Sequence, residues 1–417
     1  MGKTISEKIL SVHCRKDLTA GEIGIADVDF AFAHDGTGPL AYKAFSEMEG
    51  DRVFDSSRIA LVVDHTVPSY SEEVANYQNL TRAFAAKYGT LLYNDGSGIC
   101  HWVIPEHGHI LPGTLAIGAD SHTCTLGALN AFATGVGSSE FASVMLTGQI
   151  WLRVPRTIKV HILGSFAKYI SAKDLVLSLA RRLGASGASY KTLEFCGEGI
   201  KNIPVEGRFT ICNMAVEMGA KAGIFPADNL TEEWLSRRTE KSICGVDADG
   251  DASYESHLEF ELDTIEPMVS VPHSIDNAVP VRDLAGREIQ LVFIGGCTNG
   301  GYESLQVAAE VMKGKSIASK VRLVVQPCSR ETYIEAANAG VLGSLAAAGA
   351  MINAPGCGPC CGQVGGIPAD GEQVVSTTNR NYRGRMGNKN ASIYLVSPAT
   401  AAACAIAGCI VDPREIA

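Results

Sequence analysis

Cys297 in Gly-Gly-Cys-Thr-Asn-Gly and the pair Cys357 and Cys360 in Pro-Gly-Cys-Gly-Pro-Cys-Cys-Gly are the residues of this 417-residue chain best placed to do chemistry. A C-x2-C pair plus one distant cysteine, each in a glycine turn, offers three thiolates to a metal centre and leaves one coordination position unfilled. An unfilled position suits catalysis. The residues alone leave three readings open: an iron–sulfur cluster, a zinc site needing a fourth ligand, or buried thiols in tight turns. Cys361 follows directly. Adjacent side chains of an extended segment point to opposite sides, so Cys360, which completes the C-x2-C spacing, is the expected partner of Cys357. With 13 cysteines, an odd number, in a long chain, reduced thiols are expected rather than a disulfide framework. Cys196, Cys212, Cys244, Cys404 and Cys409 read as packing residues in apolar surroundings.

Histidines beside carboxylates come next. Asp64 precedes His65, Asp120 stands two residues before His122 with Ser121 between them, and His101 lies in Gly-Ile-Cys-His-Trp. A carboxylate can hold an imidazole as a proton donor or acceptor near neutral pH. A surface histidine beside an acid is the blander reading of any one pair, but the pairs recur at the ends of apolar runs. His107 and His109 read as surface residues of the loop Pro105 to Pro112. Arg380, Arg383 and Arg385 crowd one glycine-containing segment. Guanidinium forks bind carboxylates with two parallel hydrogen bonds, so the cluster suits a di- or tricarboxylate as well as it suits a solvated charge run.

The elements that must position these groups follow from apolar periodicity. Strands are expected at Ile59 to Val63, Leu115 to Ile117, Ile158 to Leu163, Leu291 to Ile294, Val321 to Val325 and Ile393 to Val396. Helices are expected at Ser71 to Tyr88, Ser171 to Leu183 and Arg330 to Ala339, the first two opening on a capping serine with acids in the first turn. A further buried helix is expected within Ser397 to Val411. This alternation predicts α/β units around largely parallel sheets. Asp64 and His65, Asp120 to His122, and Cys297 each follow a predicted strand, where ligands bind in open α/β sheets. Asp247 to Ser253 and Pro267 to Pro280 read as a hinge. Gly135-Val136-Gly137 only faintly suggests a dinucleotide loop, lacking a third glycine and a clear preceding strand.

Chain length predicts two to four domains. Apolar content of 46% with 44 glycines fits a globular α/β enzyme. The net charge of −10, without a Lys/Arg run, argues against nucleic acid as the main partner. No apolar stretch matches a bilayer and the N-terminus lacks a secretory core, so a cytoplasmic protein without membrane attachment is expected.

The motifs Ala-His-Asp-Gly-Thr-Gly-Pro-Leu, Val-Asp-His-Thr-Val-Pro-Ser, Gly-Ile-Cys-His, Gly-Ala-Asp-Ser-His-Thr, Thr-Ile-Cys-Asn-Met, Gly-Cys-Thr-Asn-Gly, Gly-Cys-Gly-Pro-Cys and Asn-Arg-Asn-Tyr-Arg-Gly-Arg occur in this order. By them the chain, over essentially its whole length, resembles the aconitase superfamily, and within it the large subunits of 3-isopropylmalate dehydratase and homoaconitase. The resemblance implies three α/β/α domains, 1–155, 156–275 and 276–417, the last carrying the cysteines, without the family's swivelling fourth domain. It implies that Cys297, Cys357 and Cys360 hold a [4Fe-4S] cluster whose open iron acts as a Lewis acid on a hydroxy-carboxylate. It pairs Asp64 with His65, Asp120 with His101, and Glu217 with His122 for proton transfer, and assigns His34, Ser121, Asn379, Arg380 and Arg385 to substrate.

The family's serine base, carried on the swivelling domain, has no counterpart in this sequence, which implies a separate small subunit. The implied reaction is a hydro-lyase isomerisation by dehydration and rehydration. Isopropylmalate, in leucine biosynthesis, is the first expectation, with homocitrate, citrate, citramalate or dimethylmalate as alternatives. An RNA-binding regulator exposed by cluster loss is the reading from a different class; the acidic balance speaks against it.

Overall fold

The expected alternation appears as short strands buried on both faces, linked by capped helices. A computed structural model describes residues 2–416. Its first seven strands are β1 (Ile23–Asp27), β2 (Phe30–His34), β3 (Ile59–Val62), β4 (Leu91–Tyr93), β5 (Leu115–Gly118), β6 (Phe132–Gly135) and β7 (Gln149–Arg153). β1 and β7 form an antiparallel ribbon, and the other five form a parallel sheet in the order β4-β3-β2-β5-β6. Next come β8 (Arg156–Leu163), β9 (Lys191–Cys196), β10 (Ala222–Ile224) and β11 (Ser256–Glu261), parallel in the order β10-β9-β8-β11. The last sheet comprises β12 (Met268–Ser270), β13 (Ala278–Pro280), β14 (Leu291–Gly295), β15 (Arg322–Gln326), β16 (Met351–Ile352), β17 (Gln373–Ser376) and β18 (Ser392–Leu395). Its order is β13-β12-β18-β17-β14-β15-β16, with only β12 and β13 antiparallel to their neighbours.

Central strands such as β3 and β14 are apolar throughout and buried at every position, as parallel strands covered on both faces must be. The helices begin where capping predicts. Ser71 Oγ accepts from Val74 N ahead of Glu72–Tyr88, and Ser171 forms a reciprocal capping box with Asp174 ahead of Ala172–Leu183. The expected buried helix is Pro398–Ala407, ended by Gly408 at φ +75°.

Several expectations are corrected. Residues 267 to 280 are no hinge: they contain β12 and β13, paired into the last sheet. The stretch Asp247 to Ser253 has no regular element, yet it is pinned, since Asp249 accepts from Lys3 N at 2.7 Å and Asp249 N donates back to Lys3 O at 2.9 Å. A strand, β6, does lead into this loop, ending at Gly135, but Glu140 Oε2 accepts from Gly137 N at 3.0 Å and so occupies the helix start a phosphate would need. His109 is not a surface residue. It stacks on Phe30 and its Nε2 lies 2.6 Å from Tyr93 Oη, and burial pushes its imidazole down to about 4. Cys244 is exposed rather than packed.

Two of the sheets change direction in a way that bears on function. In the five-stranded sheet the chain builds outward from β2 through β3 to β4, then restarts at β5 on the other side of β2. In the seven-stranded sheet it builds from β14 through β15 to β16, then restarts at β17 on the other side of β14. Loops leaving the carboxyl ends of strands that flank such a reversal diverge, and the gap between them is where α/β sheets bind ligands. His34 and Asp120 stand at the β2/β5 reversal. Cys297 and Asn379 stand at the β14/β17 reversal. No helix among the described residues is long and apolar enough to cross a membrane.

Candidate functional site

The two reversals meet. Cys357 N donates to Asp64 O at 2.8 Å, tying the cysteine loop after β16 to the end of β3. Trp102 Nε1 donates to Cys297 O at 2.8 Å, tying the β14 turn to the helix that begins beside Asp64, whose Oδ2 accepts from Cys100 N at 2.7 Å. The paired histidines and acids, Cys297, Cys357 and Cys360, and Asn379, Arg380 and Arg385 lie around this junction.

On the sulfur side, Cys297, Cys357 and Cys360 are buried. Cys297 Sγ receives Asn213 Nδ2 at 3.1 Å and Asn379 Nδ2 at 3.3 Å, while Arg385 Nη2 lies 3.5 Å from Cys360 Sγ. Neutral thiols are weak acceptors. Three N–H donors aimed at two sulfurs therefore describe a pocket made for anionic sulfur. Burial nevertheless pushes the Cys297 and Cys357 thiols well above their ordinary value, and neighbouring sulfurs add to the effect. A metal cation bound among them would hold these sulfurs as thiolates. Cys357 Sγ sits 4.0 Å from His65 Nε2, so the sulfurs border the imidazoles directly.

Cys361 is turned away, with Sγ 3.3 Å from both His65 O and Gly358 O. The premise of an extended segment is corrected: Gly358–Cys361 is a 3₁₀ turn, in which consecutive side chains are about 120° apart. The separation of Cys360 from Cys361 survives on different geometry. Gly358 must be glycine here, with φ +55° and a Cβ that would lie 1.9 Å from Gln326 Oε1.

Asp120 is the hub of the imidazole side. Its Oδ1 meets His101 Nε2 at 2.7 Å and accepts from His122 N at 2.7 Å, and its Oδ2 lies 3.3 Å from His34 Nε2 and 3.9 Å from His65 Nε2. Burial works to raise its carboxyl, but His101, His122 and His34 hold it well below the carboxylate range. Asp64 Oδ1 meets His65 Nδ1 at 2.6 Å. Against burial, His65 holds Asp64 down to about 2 and Asp64 lifts His65 to about 9. Burial pushes His101 the other way, below its ordinary value, despite Asp120. Two imidazoles in one cleft are thus set to opposite protonation at neutral pH. His34 stacks on His65 with ring centroids 3.6 Å apart.

Glu217 closes the far wall, its Oε1 meeting both His122 Nε2 at 2.8 Å and Arg380 Nε at 2.7 Å; opposing burial, these partners lower its carboxyl. Arg380 Nη2 donates to Ser121 Oγ at 3.0 Å. Arg385 Nε is buried without a partner, while Arg383 is exposed. Asn379 is spent on Cys297 and on Asn213 Oδ1, at 2.9 Å, which puts it on the sulfur side rather than among the arginines.

Two contributors escaped the sequence reading. Asn213 lies inside the Thr-Ile-Cys-Asn-Met motif four residues before Glu217, which was the available signal. Asp35 takes the backbone N–H of Asp64, His65 and Thr66 at 3.1, 2.9 and 3.2 Å and so fixes the imidazole loop; its signal was adjacency to His34. Among the described residues, His34, Asp35, Asp64 and His65, and separately His101, Asp120 and His122, are close enough to hold an ion. The Asp35 and Asp64 oxygens are already engaged by these N–H groups and by His65.

Over residues 7–408 the chain matches the model of the Aconitase family (aconitate hydratase), and it belongs to that family. It is 48% identical over 415 residues, 99% of each chain, to a protein of Methanopyrus kandleri named 3-isopropylmalate dehydratase large subunit 1. A Thermotoga maritima protein of the same name is 46% identical over 418 residues, all of both chains. A Methanosarcina mazei protein named probable methanogen homoaconitase large subunit is 48% identical over 393 residues, 94% of this chain and all of that one.

Proposed function

We propose that this chain is the large subunit of an iron–sulfur hydro-lyase that isomerises a hydroxy di- or tricarboxylate by dehydration and rehydration, and that its substrate is isopropylmalate. Membership of the Aconitase family and the full-length likeness to 3-isopropylmalate dehydratase large subunits support the reaction class. The observation that carries the reading is the junction itself: three buried sulfurs, two of them served by N–H donors, in contact with an Asp120-centred set of imidazoles and flanked by Arg380 and Arg385.

Cys297, Cys357 and Cys360 would hold a [4Fe-4S] cluster. A single zinc ion needs its sulfurs about 3.8 Å apart, given Zn–S bonds of about 2.3 Å; these three are not among the sets of donors that lie within 4.8 Å of one another, which favours a larger polynuclear group. Bound there, the cluster supplies Lewis acidity at an open position, which weakens the carbon–oxygen bond of the leaving hydroxyl. Arg385, whose Nε lacks a partner, and Arg380 would fork the substrate carboxylates. His65, kept protonated by Asp64, holds its proton on Nε2 toward the cleft and can hand it to the leaving hydroxyl. His101, kept neutral, and His122, anchored by Glu217, orient the released water for its return. Ser121 and His34 line the same space.

The three larger sheets would mark three α/β/α domains, the last boundary lying before β12 rather than at 275/276. The relatives named "large subunit" support a small-subunit partner, which would bring the base that removes the carbon-bound proton. Substrate choice between isopropylmalate and homoaconitate-type acids would lie partly on that partner.

The test rebuilds the cluster anaerobically and assays a panel of 2- and 3-hydroxy diacids with and without a small subunit. Isomerisation of 2-isopropylmalate only in the presence of the partner is expected. Full turnover by this chain alone, or conversion of homocitrate but not isopropylmalate, would overturn the corresponding half of the reading.

A further inference from the structure

Lys173, the second residue of the helix Ala172–Leu183, has no exposed surface. Its Nζ donates to Thr377 O at 2.7 Å and Thr378 O at 2.8 Å, and lies 3.4 Å from both Thr298 Oγ1 and Met214 Sδ. No carboxylate among the described residues lies within ion-pair distance of it. Its neighbour Asp174 faces elsewhere, accepting from Met268 N at 2.9 Å and Ser171 N at 2.9 Å. A buried ammonium without a counter-charge costs several kcal/mol, which carbonyl and hydroxyl dipoles offset only in part. Such an arrangement persists when negative charge arrives nearby.

The negative charge is identifiable. Thr298 follows Cys297, and Thr377 and Thr378 precede Asn379, which hydrogen-bonds Cys297 Sγ. Lys173 thus holds the two loops that flank the β14/β17 reversal, and Thr298 Oγ1 to Thr377 O at 2.7 Å locks them together above it. Burial outweighs the negative groups that raise its proton affinity, the sulfurs of Cys297 and Cys360 ahead of Asp174 and Glu217, and leaves the ammonium pushed down to about 7.

We infer that Lys173 is a positioning residue of the sulfur pocket, whose positive charge offsets the thiolates and the group they hold while its hydrogen bonds keep the Cys297 and Asn379 loops together. The inference rests on the cluster reading above, but the test separates the two. If the parent chain takes up no iron and sulfide, the cluster reading fails; if it does, the variants decide the role of Lys173.

The experiment compares the full-length parent with Lys173→Gln and Lys173→Met, both neutral, only the first retaining N–H donors. Thermal melting of the iron-free chains is measured beside anaerobic cluster reconstitution, cluster lifetime against a chelator and the midpoint potential. A charge role predicts that iron-free Lys173→Gln melts at or above the parent. It also predicts that the variant's cluster lifetime falls by at least about tenfold, the loss of one modest buried charge interaction, and that its potential moves negative. Lys173→Met must share the negative shift. Parental lifetime and potential in Lys173→Gln would overturn the inference. So would a loss of iron-free stability as large as the loss in the loaded chain, or a potential shift in only one of the two variants.

Discussion

Glu217→Gln isolates the charge that anchors one wall of the cleft. A single oxygen, Oε1, serves His122 Nε2 at 2.8 Å and Arg380 Nε at 2.7 Å. Glutamine preserves the shape and one acceptor but removes the charge. The side chains of Glu217 and Arg380 are 11% and 22% exposed, which sets the interaction between the surface and buried limits. Exposed pairs contribute about 0–1 kcal/mol, whereas breaking a buried one costs about 3–5 kcal/mol. A loss of about 2–3 kcal/mol in transition-state binding follows, or about 30- to 150-fold in kcat/KM. Because Glu217 touches no sulfur, iron and sulfide content are expected to match the parent. The assay is steady-state isomerisation by the reconstituted chain with the proposed small subunit, alongside metal analysis. Arg380→Gln and the double variant complete a cycle, in which the second substitution adds little to the first. Rates within about threefold of the parent, strict additivity, or loss of iron along with rate would refute the reasoning. The acidic limb follows by sign. Glu217's carboxyl is lowered in the folded chain, so its contribution is present at neutral pH and lost as pH falls through the folded value; the glutamine variant lacks that limb.

Cys360→Ser is expected to abolish cluster uptake and Cys361→Ser to retain it, read from iron and sulfide per chain, because only Cys360 faces the Cys297 side of the pocket. Burial pushes Glu106 up to about 8, with Ser329 Oγ donating to it at 2.6 Å as a partial offset. Since that value lies above the unfolded one, the contribution of Glu106 is present in acid and lost as pH rises through about 8, so Glu106→Gln is expected to melt like the parent at low pH and above it in alkali. Arg208, fully buried, meets the carboxylate oxygens of Asp228 at 2.8 and 2.6 Å. Asp228→Asn is therefore expected to cost about 3 kcal/mol in urea unfolding, and an unchanged midpoint would show that the pair contributes nothing net.

Much of the site is legible in the sequence because its residue types are locally punctuated. Glycine turns around Cys297 and Cys357, and acids beside His65 and His122, mark chemistry within a few residues. Strands such as Leu291–Gly295 and helices opened by Ser71 and Ser171 were legible for the same reason: periodicity and caps are properties of short windows. Where longer-range pairing overrides the local signal, the reading failed. Pro267 to Pro280 looks like a hinge until β12 finds β18 more than 100 residues away, and Cys360–Cys361 looks extended until the loop tightens into a 3₁₀ turn.

What the sequence determined on its own is the inventory: three thiols in glycine turns, histidines with acids, an arginine cluster, and parallel α/β units to carry them. Only the tertiary structure decided how they meet. The reversals at β2/β5 and β14/β17 face one junction, so that Asp120 gathers four histidines, Asn213 reaches Cys297 from 84 residues away, and Lys173 is buried beneath the turn it supports. The physical reason is that burial and opposed charges, not neighbours in the chain, set proton affinities, and both exist only once the sheets have packed.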